Sequence, residues 1–113
     1  MAKEYSWYKL EEGRLPFVEK EISVMEVNGK KICCTLHQGQ LFAFAYKCPH
    51  AGGVMADGVI DATGNVVCPL HRYKFSLKNG YNSSGEGYYL KTYPIEQRED
   101  GPWLGMEKSG WFW

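Results

Sequence analysis

The chain of 113 residues has no run of about 18 uncharged apolar residues, so nothing in it reads as a membrane-spanning helix. Its first residues, Met1-Ala2-Lys3-Glu4-Tyr5-Ser6-Trp7, lack the apolar stretch and small-residue cleavage site of an export signal. Charge of either sign is not in excess: 13 Lys and Arg balance 13 Asp and Glu, which argues against nucleic acid or a membrane surface as partner. Recognition must then rest on local patches. Dinucleotide fingerprint, nucleophile box and paired carboxylates in a catalytic context are all missing, so no substrate chemistry is expected of the chain itself. No stretch is long or polar enough to serve as a linker, and residues 1–113 are expected to form a single domain, soluble and cytoplasmic.

Helical periodicity is also scarce. No 3.6-residue apolar stripe exceeds about two turns, whereas short runs of β-branched and aromatic residues recur between Gly, Asn, Asp and Pro. The reading is an all-β fold. Asn28-Gly29 supplies the positive φ values of a tight type I′ turn, which predicts a hairpin from Ile22–Val27 to Lys30–Leu36. A second turn at Gln38-Gly39 leads into a strand over Leu41–Tyr46. Further strands are expected over Asn65–Cys68, Tyr73–Leu77, Tyr88–Tyr93 and Trp103–Met106, with a loop over Lys78–Gly87.

Against this background two short pairs stand out, Cys48-Pro49-His50 and Cys68-Pro69-Leu70-His71, separated by 17 residues. Each follows a predicted strand end, where a β-scaffold fixes a loop rigidly. In extended chain, residues two apart point to the same side, so Cys48 and His50 can face inward together while Pro49 stiffens the link between them. Two thiolates and two imidazoles supplied in this way suit a [2Fe–2S] cluster with sulfur on one iron and nitrogen on the other. If each loop serves both irons, Cys48 and Cys68 hold the buried iron and His50 and His71 the outer one. Neutral imidazoles in place of thiolates raise the potential, to a range of about −150 to +300 mV. The competing reading is a structural zinc site, since zinc accepts the same four ligands tetrahedrally. Zinc fingers, however, usually pair Cys with Cys and His with His, and here each loop has one of each.

Cys48-Pro-His50-Ala-Gly-Gly53 together with Cys68-Pro-Leu-His71 resembles the two cluster-binding boxes of the Rieske ferredoxin family, and the flanking strands resemble its base domain, over about residues 5–106. The resemblance implies three antiparallel sheets, with a small cluster-binding subdomain, about residues 45–77, inserted into the base. It implies a one-electron carrier, with a flavoprotein NAD(P)H reductase as donor and a terminal oxygenase or other oxidoreductase as acceptor. The small subunit of a nitrite reductase complex is an alternative within the same fold, and a zinc-stabilised interaction module is the alternative outside it.

Three departures from the family's subtypes matter. Gly53 and Leu70 stand where the membrane-bound, high-potential members carry a disulfide, and Tyr73 stands where they place a serine that donates to a cluster sulfide. Fewer donors to sulfur lower the potential, so a midpoint near the low end of the range is expected. Arg72 stands where the ferredoxins often have glycine, and with Lys47 and Lys74 it would form a positive rim at the outer iron.

The remaining reactive residues have plainer readings. Cys34, in phase with Ile32 and Leu36, is expected in the core, and Cys33 on the opposite face as a half-exposed thiol. His37 is expected at the surface beside its turn. Trp111-Phe112-Trp113 is expected to fold back onto the base, the alternative being an exposed aromatic patch for a partner or a second subunit.

Overall fold

The computed structural model describes residues 4–10, 19–48, 53–69, 72–82 and 89–107. These residues form β1 (Tyr5–Lys9), β2 (Ser23–Val27), β3 (Lys30–His37), β4 (Gln40–Ala45), β5 (Val59–Ile60), β6 (Asn65–Val67), β7 (Lys74–Ser76), β8 (Thr92–Tyr93), β9 (Ile95–Arg98) and β10 (Gly101–Glu107). A single 3₁₀ turn, Met55–Asp57, precedes β5. The strands make three sheets, ordered β1-β10-β9, β2-β3-β4-β8 and β5-β6-β7. Every strand pairing within them is antiparallel.

Two tight turns set the register of the four-stranded sheet. Asn28 and Gly29 both have positive φ (52° and 78°), as a type I′ turn requires, and Val27 pairs with Lys30 across it. Gln38 and Gly39 repeat the geometry (55° and 78°), with His37 opposite Gln40. Gln38 suits a left-handed backbone less well than asparagine does. Its turn is held from outside, because the Glu19 carboxylate accepts the backbone N–H groups of Gln38 and Gly39. Those donors, Gln38 first, keep the Glu19 carboxyl below the ordinary carboxylate range.

The four-stranded sheet is buried on both faces. Ile32, Cys34, Leu41 and Ala43 lie in one buried cluster with Leu10, Met25, Val27, Tyr93 and Leu104. Cys33 and Phe44, paired across β3 and β4, lie in the other with Met55, Ile60, Val66, Phe75, Leu77 and Leu90. Alternation along a strand sends successive side chains to opposite faces, and here both faces are covered. Cys33 is therefore fully buried like Cys34, not half exposed as one solvated face would have left it.

Two further expectations change. The strand placed at Tyr88–Tyr93 is only Thr92–Tyr93 among the described residues. Tyr89 makes an isolated bridge to Tyr81, and the Leu90 N–H turns instead to the Gly80 carbonyl at 2.9 Å. The strands β1, β5 and β9 went unread; β9, Ile-Glu-Gln-Arg, is an edge strand with little buried surface to impose alternation. Half of the predicted 78–87 loop, residues 83–87, and the Trp111-Phe112-Trp113 end lie outside the described residues. No described helix is long and apolar enough to cross a membrane.

Candidate metal centre

The two motif loops are the closed ends of two hairpins. Beyond β4 the chain continues a short ladder with the segment before the 3₁₀ turn. The Tyr46 carbonyl accepts the Met55 N–H at 2.8 Å, Lys47 bridges Val54, and the Cys48 N–H donates to the Gly53 carbonyl at 2.8 Å. In the second hairpin Val67 pairs with Lys74 across β6 and β7, and the Cys68 N–H donates to the Tyr73 carbonyl, again at 2.8 Å. Each cysteine is thus held in its ladder by its own backbone N–H. Backbone pairing, rather than side-chain contact, fixes where the two Cα atoms stand.

Both cysteine side chains are buried, Cys48 at 3% and Cys68 at 0% exposure, and both belong to the cluster of Met55, Val66 and Phe75. They are not joined in a disulfide. Two thiols brought into one apolar cluster from two rigid hairpins fit the sulfur half of a mixed-ligand iron–sulfur site. His50 and His71 lie outside the described residues, as do Ala51, Gly52 and Leu70. Cys33 shares the buried cluster, yet the described residues contain no group of three or more Cys, His, Asp or Glu able to hold a metal. Burial pushes the Cys33 and Cys34 thiols up to about 12, which leaves them protonated and inert. His37 stands at the β3–β4 turn, the full length of β4 from Cys48 along the chain, with its Nε2 facing Gly64.

The sheet beneath the second loop rests on features with no signature in the sequence. A Cβ on Gly58 would sit 2.1 Å from the carbonyl oxygen of Val67, the residue before Cys68, so glycine is required for β5 to approach β6. Asp61 organises the turn into β6. Burial raises its pKa, but donation from the backbone and side chains of Asn65 and Thr63 outweighs this and holds the carboxyl below its usual range.

The expected positive rim is only partly free. Lys74 is exposed but lies 3.8 Å from the Asp61 carboxylate, which shares its charge. Lys47 and Arg72 are exposed and form no ion pair with any described residue. Arg72 adopts φ +56°, a left-handed backbone that favours glycine. Tyr73 is half buried against the cluster that holds Cys48 and Cys68.

Fold and buried thiol pair together define an iron–sulfur electron-transfer protein. Residues 6–94 match the model of the Rieske [2Fe–2S] domain, and the chain belongs to that family. Its cofactor is one Rieske-type [2Fe–2S] cluster rather than zinc, and it is a ferredoxin-type electron carrier rather than a catalyst.

It is 29% identical over 90 residues to the ferredoxin component of the naphthalene 1,2-dioxygenase/salicylate 5-hydroxylase systems of Ralstonia sp, covering 79% of this chain and 86% of that protein. To the ferredoxin component of the alkene monooxygenase system of Xanthobacter autotrophicus it is 23% identical over 87 residues, 77% of this chain and 71% of that protein. To the NAD(P)H nitrite reductase of Emericella nidulans it is 35% identical over 78 residues, 62% of this chain but only 7% of that much longer protein.

Among solved structures, the ferredoxin of carbazole 1,9a-dioxygenase from Nocardioides aromaticivorans superposes with a TM-score of 0.70 at 19% identity, covering 81% of this chain and 89% of that one. A nitrite reductase small subunit from Mycobacterium tuberculosis superposes at 0.73 and 16% identity, covering 94% and 97%. A chain from the complex of oxygenase and ferredoxin of carbazole 1,9a-dioxygenase superposes at 0.73 and 18% identity, covering 87% of this chain and 28% of that one. At these identities the superpositions establish the three-sheet Rieske fold.

Proposed function

We propose that the protein is a cytoplasmic ferredoxin that accepts one electron from a flavin-dependent NAD(P)H reductase and delivers it to a terminal oxygenase. Cys48 and Cys68 hold the buried iron, and His50 and His71 hold the outer one. Residues 45–77 are the cluster-binding subdomain of a single domain spanning 1–113. The observation that carries this reading is the convergence of the Cys48 and Cys68 thiols, from two hairpins closed in the same way, into one buried cluster.

A flavoprotein donor follows from electron counting. NAD(P)H releases two electrons as hydride, a Rieske centre takes one, and a flavin is the cofactor able to convert between them. The oxygenase as acceptor is supported by the two relatives of comparable length, which are ferredoxin components of a dioxygenase and a monooxygenase system. The solved oxygenase–ferredoxin complex supports direct contact between such components.

A second reading, the small subunit of a nitrite reductase complex, draws on the near-complete mutual coverage with the mycobacterial subunit. Anaerobic stopped-flow mixing with a dioxygenase-system flavoprotein reductase and NADH separates the two. The carrier reading predicts uptake of one electron per chain and reoxidation on adding an oxygenase component. Failure to be reduced, with the chain purifying from its host in stable stoichiometric complex with a nitrite reductase large subunit, would replace it with the second reading.

A further inference from the structure

Among the described residues four non-glycines have left-handed backbones: Lys20, Asn28, Gln38 and Arg72. Asn28 and Gln38 open the two type I′ turns, and the Lys20 N–H is pinned to the Leu36 carbonyl at 2.7 Å. Arg72 lies between Cys68 and Tyr73, whose backbones are joined by a hydrogen bond, and follows His71 directly in the sequence. The backbone there suits glycine. The side chain is exposed and makes no ion pair or ring contact with a described residue, so neither accounts for an arginine at this position.

Two further cations belong to the hairpins whose cysteines, Cys48 and Cys68, share one buried cluster. Lys47 stands just before the other anchored cysteine and is likewise exposed without a described ion pair, while Lys74 is partly neutralised by Asp61. With 13 positive and 13 negative side chains, the whole molecule offers no long-range attraction to either sign. A local concentration of cation at the motif loops is therefore what an approaching partner would sense.

We propose that Arg72, seconded by Lys47, makes the electron-exchange end of the molecule a docking surface for an acidic partner, a protein that presents Asp and Glu carboxylates around its own redox centre. This rests on the electron-carrier reading and adds the charge of the partner to it. Arg72 acts by steering and orienting encounter, which governs association rate more than affinity.

Two small oxidants of opposite charge test the proposal without the natural partner. The reduced protein passes one electron to ferricyanide, giving ferrocyanide, or to hexaamminecobalt(III), giving cobalt(II). A change in midpoint potential moves both rates in the same direction, whereas a change in local charge moves them in opposite directions, so their ratio isolates the charge. At about 10 mM ionic strength, Arg72→Glu should lower the ferricyanide-to-cobalt rate ratio by about tenfold or more. The effect should collapse at about 200 mM. Arg72→Lys should keep the wild-type ratio.

Lys20→Glu makes the same change of net charge at another left-handed cation, beside Leu36 toward the far end of β3 and β4, and should leave the ratio within about twofold. Arg72→Gly should leave the melting temperature unchanged or raise it by a few degrees, because glycine relieves the left-handed backbone. An unchanged ratio in Arg72→Glu, an equal change in Lys20→Glu, or a fall in melting temperature on Arg72→Gly would overturn the proposal. A chain that takes up no electron from dithionite would overturn the carrier reading and this proposal together.

Discussion

Cys48 and Cys68 occupy equivalent places on two hairpins: each donates its backbone N–H, at 2.8 Å, to the carbonyl of the residue five positions on, Gly53 for one and Tyr73 for the other. Both thiols then enter a single buried cluster. On the proposed ligand assignment, a rigid frame that holds two soft ligands in one buried cluster limits the reorganisation that each electron transfer requires.

The ligand assignment separates the cysteines sharply. Cys48→Ala and Cys68→Ala should each abolish cluster retention, whereas Cys33→Ala, in the same buried cluster but in no described metal-ligand group, should keep the full complement of iron. Iron and acid-labile sulfide per chain provide the readout. Retention in either of the first two variants, or loss in the third, would reassign the ligands.

The positions of Gly58 and Gly29 favour glycine for different physical reasons. Gly58→Ala drives a Cβ to 2.1 Å from the Val67 carbonyl oxygen and should destabilise the fold by about 2–3 kcal/mol, with weaker cluster retention because Cys68 follows Val67. Gly29→Ala meets nothing within 4 Å and is strained only by its φ of 78°, so it should cost about 1 kcal/mol and leave the cluster intact. Urea unfolding of the two variants measures the contrast.

Burial of Cys33 and Cys34 has a pH consequence. Their thiols are held near about 12 in the folded state, against an ordinary value of about 9. Below that ordinary value both states are protonated; above it the unfolded chain ionises first, so stability should fall as pH rises from about 9 toward 12. The alkaline slope of the urea midpoint should flatten when both residues are changed to Ala. At neutral pH the native holoprotein should show no thiol reactive with a disulfide reagent, and all four cysteines should react after denaturation with a chelator.

How much was legible in the sequence varied with the kind of signal. Asn28-Gly29 and Gln38-Gly39 marked their hairpins because a type I′ turn needs positive φ at both positions, and few residue pairs supply it. Cys48 and Cys68 were legible from the proline and histidine beside each. Burial of Cys33 was not, because whether a strand has one covered face or two depends on sheets made by distant parts of the chain. The two-residue β5 is too short to show a period, and the role of Gly58 depends on a carbonyl nine residues away. Arg72 was visible as a departure from the family's glycine, but its left-handed backbone is a property of the closed turn alone.

The central claim is a mixed Cys and His ligand set around one [2Fe–2S] cluster at the low end of its potential range. An electron-paramagnetic-resonance-monitored redox titration of the purified protein tests it most directly. The account predicts a rhombic one-electron signal that appears on reduction with a midpoint near about −150 mV. A colourless protein that retains zinc and gives no signal on reduction would contradict it.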